Sequence, residues 1–163
     1  MKKSYEERGI KFGTYLAKLF QDCDCYNDFR KIIMEYNRCH TRKLKWASGF
    51  TRIAIIRADY VIKFTYRKGT RIGDCESERA IYVQAEKAGM AHLFAKTTLV
   101  TEYGLTFAVM PKINGIGNYS LNWREHCTWE EQKWINAHVI DLHEDNVGYR
   151  RDKVCIVDYA YVR

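Results

Sequence analysis

The hydrophobic period of the chain changes at Trp46, and that change bounds the fold more tightly than any composition figure. Up to that point apolar residues recur at helical spacing. Ile10, Tyr15, Leu16, Leu19 and Phe20 form one run; Phe29, Ile32, Ile33 and Tyr36 form the next. The turn-forming stretch Asp24 to Asp28 separates them, and Asn27 or Asp28 is the expected cap of the second helix. Beyond Trp46 the runs are short, β-branched and aromatic: Ile53 to Ile56, then Tyr60 to Arg67, joined across Arg57-Ala58-Asp59 as an antiparallel hairpin. Helices placed ahead of and between antiparallel strands make an α+β chain.

Alternation along the second strand puts Tyr60, Ile62, Phe64 and Tyr66 on one face and Val61, Lys63 and Thr65 on the other. Lys63 is therefore a cation in the middle of an apolar strand. It is either a surface lysine on a half-exposed sheet or a cation with a task. A helix follows, capped by Asp74 and stopped at Gly89. At about 100° per residue, Glu78 shares a stripe with Ile81, Tyr82, Ala85 and Gly89, while Glu76 and Glu86 lie away from it beside Arg79, Val83 and Lys87. A carboxylate turned inward needs a partner, and Lys63 is the obvious one. Thr98 to Tyr103 and Leu105 to Met110 form a hairpin turning at Gly104, with Pro111 ending the strand. Asn114 to Asn118 is the clearest linker. Thr128-Trp129-Glu130-Glu131 fits a capping box for a helix running to about Val139, and Val147 to Tyr149 with Val154 to Val157 closes the chain as a tight hairpin.

Composition narrows the function classes. With 163 residues there is room for one domain or a small lobe pair, and 47% hydrophobic content supports a packed core rather than disorder. The net charge of +7 favours anionic partners. No apolar run approaches the roughly 20 residues of a membrane helix. The first residues lack the apolar stretch of a secretory signal, so a cytoplasmic protein is expected. Six scattered cysteines then read as reduced thiols. Cys23 and Cys25 with Cys39 and His40 offer four zinc-type ligands without the usual paired spacing; small buried hydrophobes near a helix junction are the alternative. Arg38, Arg42, Lys43 and Lys45 beside Trp46 form a basic run that either contacts nucleic-acid phosphate or is a solvated helix end. His126, His138 and His143 lack the spacing of a zinc helix, and His143 fits better as a structural loop residue. Trp123, Trp129 and Trp134 read as core aromatics.

The chemistry-bearing stretch is Asp141-Leu142-His143-Glu144-Asp145-Asn146, the hairpin, then Asp158-Tyr159-Ala160. The hairpin folds Asp158 back beside Asn146, and magnesium takes a few carboxylate or amide oxygens together with phosphate oxygens and water. In this order, helix, Asp-x4-Asn, hairpin and Asp, the sequence resembles the protein-kinase-like superfamily. It is closest in style to small-molecule and atypical kinases and to small kinase-like proteins of bacterial viruses. Tyr60-Val61-Ile62-Lys63 is similar to the strand lysine motif that positions the α- and β-phosphates, and Glu78 to the helix glutamate that pairs with it. Val109 to Ile113 is similar to the hinge strand that receives adenine, which puts Met110 and Lys112 beside the base. By the same match Asp141 is the catalytic base, Asn146 and Asp158 hold Mg²⁺, and the cofactor is ATP. The resemblance implies a protein-kinase-like fold. Residues 1–45 form a helical extension, 46–113 an N-lobe with an antiparallel sheet and one αC-type helix, and 114–163 a minimal C-lobe.

Three departures qualify the match. Ala47 to Thr51 carries one glycine, Gly49, where the phosphate-covering loop has several. Val139 stands where the family has histidine, and Asp158-Tyr159-Ala160 replaces Asp-Phe-Gly. Only five residues follow Asp158, too few for a substrate platform. Two functions are expected on these grounds: phosphoryl transfer to a protein partner or to the chain itself, or a pseudokinase-type module that binds a host or partner protein without catalysis. Nothing in the sequence sets an oligomeric state.

Overall fold

The computed structural model describes residues 3–68, 74–118, 120, 122–140, 142–151 and 153–159. Asp141, Asp152 and Ala160 lie outside the described residues. The chain divides into two units, one of Met1–Cys75 with Thr98–Lys112, the other of Glu76–Thr97 with Ile113–Arg163.

The first unit contains helices α1 (Tyr5–Leu19) and α2 (Tyr26–Cys39) and strands β1 (Lys45–Ser48), β2 (Arg52–Ile56), β3 (Tyr60–Thr65), β4 (Thr98–Glu102) and β5 (Leu105–Pro111). The strands form one antiparallel sheet in the order β1-β2-β3-β5-β4. Register sorts its faces. Ile53, Ile55, Tyr60, Ile62, Phe64, Leu105, Phe107 and Val109 share one side and are buried with Leu16, Ala17 and Phe20 of the α1 region and Phe29 and Ile33 of α2. Phe64 is the hub, 5.2 Å from the Phe20 ring and 5.2 Å from the Phe107 ring. The helices thus share a core with the sheet. Tyr103 and Gly104 both have positive φ, which gives the β4–β5 turn the twist a tight hairpin needs.

Several local expectations change. The inward stripe of α1 is built on Gly9, Gly13, Leu16 and Ala17, while Tyr15 and Leu19 are exposed. The cap of α2 is Cys25, with Asp28 as the reciprocal member of the box, accepting from the N–H groups of Asp24 and Cys25. Those hydrogen bonds hold the Asp28 carboxyl below its ordinary range. Residues 45–48 form an edge strand that the hydrophobic period did not signal.

On the helix-covered side the buried Tyr66 hydroxyl has no hydrogen-bond partner among the described residues. Burial, reinforced by Tyr26 and Cys25, pushes it up to about 12. A buried donor without an acceptor is destabilising by about 1–3 kcal/mol. Tyr66→Phe is therefore expected to keep or raise stability, by up to about 1 kcal/mol in urea unfolding; a clear loss would show that the hydroxyl is bonded in solution.

The second unit contains α3 (Cys75–Lys87, from its second residue), α4 (Trp129–His138) and the hairpin β6 (Val147–Arg150) with β7 (Lys153–Ile156). Its core gathers Ile81, Tyr82, Ala85, Phe94, Trp123, Ile135, Val147, Ile156 and Tyr159. Thr128 and Glu131 form the expected capping box of α4. Trp123 is buried, but Trp129 is 73% exposed and is not a core aromatic. No described helix is long and apolar enough to cross a membrane.

Candidate functional site

Gly49, Lys63, Met110 and Lys112 belong to the first unit; Glu78, Asn146 and Asp158 belong to the second. In the first, register sets Lys63 directly against Ala54 of β2 and Ala108 of β5. Paired residues of an antiparallel ladder share a face, so Lys63 lies on the side of the sheet opposite α1 and α2, with an alanine on each neighbouring strand. Two residues along that face, Val61 pairs with Ile56 and with Met110. Lys63 is 8% exposed, which replaces the surface-lysine reading with a buried one. Arg52, paired with Thr65, is a second buried cation on the same face. The alternation that places Lys63 also places Arg52 once the hairpin register is known, but the sequence alone did not single it out.

The β1–β2 turn closes through the Gly49 N–H on the Arg52 carbonyl at 2.9 Å. A Cβ added at Gly49 would meet nothing nearer than that oxygen, at 4.0 Å. Packing within the turn therefore does not require a glycine there. A cavity of about 490 Å³, lined by Cys25, Tyr26, Phe50 and Tyr66 among others, lies against this turn. Met110 is buried, and Lys112 is exposed. The Lys112 N–H donates to the Asp59 carbonyl at 3.0 Å, so it is not on offer to a base.

Within the first unit, Cys75 is tied to the lysine strand. The Cys75 N–H donates to Thr65 Oγ1 at 3.1 Å, and Cys75 Sγ to the carbonyl of Lys63 itself at 3.3 Å. Sequence reasoning missed Cys75 because a cysteine at a helix start carries no periodic signal.

In the second unit Glu78 is fully buried beside Ile81, Tyr82 and Ala85, whereas Glu76 and Glu86 are exposed. Gly89 of the same wheel stripe is exposed and serves instead as the positive-φ stop. The β6–β7 hairpin brings Asn146 and Asp158 to its open end. Val147 pairs with Ile156, and the Val157 N–H donates to the Asn146 carbonyl at 2.9 Å. Asn146 closes a short 3₁₀ turn begun by His143, with its Nδ2 at 3.3 Å from His143 Nε2. Ala95 N–H donates to the Ile156 carbonyl at 2.9 Å, fastening β7 to the segment before β4.

Tyr159 continues that fastening. It is 1% exposed, its hydroxyl donates to the Ala95 carbonyl at 2.6 Å, and it lies 2.6 Å from Thr97 Oγ1. Its ring meets Phe94 edge-on at 4.9 Å. Burial pushes the phenol well above its ordinary value, and the charge of Glu78 adds to the shift.

The donor set at the hairpin mouth, one amide and one carboxylate, consists of hard oxygens and fits Mg²⁺ that keeps water or phosphate ligands. No group of three His, Cys, Asp or Glu among the described residues could hold a metal ion. The zinc reading fails on the same ground. Cys23, Cys25 and Cys39 are free thiols, Cys39 is exposed, and burial with the charges of Asp28 and Asp22 pushes Cys23 up to about 11.

No family model matches the sequence, and no curated protein matches it. Among solved structures the chain is similar to the Lpg2603 kinase of Legionella pneumophila bound to IP6. The TM-score is 0.47 at 14% identity, over 74% of this chain and 50% of that one. It is also similar to the bifunctional kinase-methyltransferase WbdD, with TM-score 0.42, 15% identity and coverage of 75% and 34%. A WbdD co-crystal structure with the kinase inhibitor LY294002 gives TM-score 0.38, 17% identity and coverage of 75% and 33%. The chain spans half or less of the length of each of these structures.

Proposed function

We propose that this chain is a kinase-like phosphotransferase that binds ATP with Mg²⁺ and passes the γ-phosphoryl group to a protein hydroxyl, on a partner or on itself. The observation that carries the reading is Lys63. It is buried at the centre of β3, on the face away from α1 and α2, between two alanines and next to the half-buried apolar Val61 and Ile56. An ammonium held out of water calls for negative charge beside it. The small neighbours suit a flat ring lying along the strands. Lys63 neutralises the phosphates, with Glu78 as the counter-charge that the kinase resemblance assigns to it. Asp141 orients the acceptor hydroxyl and takes its proton as the oxygen–phosphorus bond forms and ADP departs. Asn146 and Asp158 present oxygens for Mg²⁺, which when bound would draw phosphate charge and fix the chain of oxygens. Such a site works by positioning and electrostatics rather than by covalent chemistry.

The test combines two measurements on the full chain. Thermal shift with ATP is expected to show stabilisation that depends on Mg²⁺, and γ-labelled ATP with a host extract is expected to label a protein or the chain. Stabilisation without Mg²⁺, together with no label on any protein, would assign the chain to the non-catalytic interaction module instead.

A further inference from the structure

Asp158 sits between two fixed points. On one side the Val157 N–H is held by the Asn146 carbonyl at 2.9 Å. On the other, one Cα–Cα step of about 3.8 Å away, Tyr159 is immobilised by its ring and its hydroxyl. That hydroxyl reaches Ala95 O and Thr97 Oγ1, both at 2.6 Å. Both partners belong to the segment to which Ile156 is bonded through Ala95. Thr97 is itself fully buried and also lies 3.5 Å from the Ala95 carbonyl. The phenol, the threonine and the carbonyl therefore form a closed polar knot inside an apolar core. A phenylalanine would fill the same volume against Phe94 without making the knot. Packing alone asks only for a ring at this position; the hydroxyl must answer to something more specific.

We propose that Tyr159 is a positioning residue, whose hydroxyl, anchored on Ala95 and Thr97, holds Asp158 in the orientation in which its carboxylate meets the metal. The proposal rests on the reading of Asp158 as a Mg²⁺ ligand. Groups that orient a metal ligand without touching the metal commonly change its affinity about 10–100-fold when removed. Tyr159→Phe removes one oxygen and keeps the ring. It is expected to weaken metal binding about tenfold while leaving the nucleotide's own affinity, measured without metal, unchanged.

The measurement is a Mn²⁺ titration followed by electron paramagnetic resonance, in the presence of a non-hydrolysable ATP analogue, so no turnover is needed. Wild type, Asp158→Ala, Tyr159→Phe and Thr97→Val are compared, with thermal unfolding of each. Thr97→Val keeps the tyrosine ring buried and removes one anchor, so it serves if Tyr159→Phe does not fold; a few-fold weakening is expected. If wild type binds Mn²⁺ no better than Asp158→Ala, the metal reading and this proposal both fall. If binding requires Asp158 but Tyr159→Phe and Thr97→Val match wild type in Mn²⁺ affinity, the hydroxyl is structural only. That outcome overturns the proposal and leaves the metal reading standing.

Discussion

Lys63→Met is expected to cut label transfer from ATP about a hundredfold or more, the size seen when one preorganised charge or donor is removed from a transition state. Methionine keeps the unbranched stem, so the contacts with Ala54 and Ala108 and the register of β3 are expected to survive. What disappears is the charge, on a face where the lysine is buried and where solvent cannot substitute for it. Lys63→Arg is expected to rescue only in part. It retains the charge but replaces a compact ammonium with a planar fork between two alanines. Steady-state kinetics with labelled ATP, alongside circular dichroism and thermal unfolding, reads both variants. A folded Lys63→Met protein with wild-type transfer rates would remove Lys63 from the phosphate site.

Gly13→Ala is expected to destabilise the first unit despite improving helix propensity. Alanine in place of glycine inside a helix is favourable by about 1 kcal/mol in isolation. At Gly13, however, the new Cβ would stand 2.8 Å from Phe107 Cζ and 2.9 Å from Cδ2, and closer still to Cε2. The Phe107 ring is fully buried and packed on Phe64, so it has little space to retreat. Overpacking of this kind costs about 1–3 kcal/mol, with the helix forced off the sheet. Set against the helix gain, the net loss comes to at most about 2 kcal/mol, a fall of up to about 4–8 °C in Tm for a chain of this size. Gly9→Ala meets a single Val109 methyl rather than three atoms of a ring, and the expected penalty is smaller. Thermal unfolding of the two variants decides the order; equal or raised Tm for Gly13→Ala would show that α1 is not seated on β5 as described.

Much of this arrangement is legible in the sequence. Strand alternation depends only on the backbone pleat, so the faces of β3, and Lys63 on the less apolar one, could be read directly from residues 60–65. The helical wheel separated Glu78 from Glu76 and Glu86 for the same kind of reason, because 3.6 residues per turn is a local property. The parts that escaped have long-range causes. Gly9 and Gly13 carry no hydrophobic signal, so apolar period points to Tyr15 and Leu19, which are exposed. β1 is four residues long and mostly exposed, and its extended pairing comes from β2. The anchors of Tyr159 lie 62 and 64 residues away, beyond any local pattern. Trp129 read as core because tryptophan usually is, yet as the first residue of a capped helix it faces water.

The first unit is discontinuous: its sheet is begun by residues up to Cys75 and completed only by Thr98–Lys112. In the order β1-β2-β3-β5-β4, β3 has β2 on one side and waits for β5 on the other. About 40 residues separate the end of β3 from the start of β5, roughly 2–8 s of translation at ordinary bacterial to eukaryotic speeds. During that interval the edge of β3 presents unpaired backbone groups, and the aromatic row later shared with Phe107 is incomplete. An open strand edge is thus exposed before the strand that covers it exists. Slow induction at low temperature, or a chaperone that shields strand edges, is therefore expected to raise the yield of folded protein.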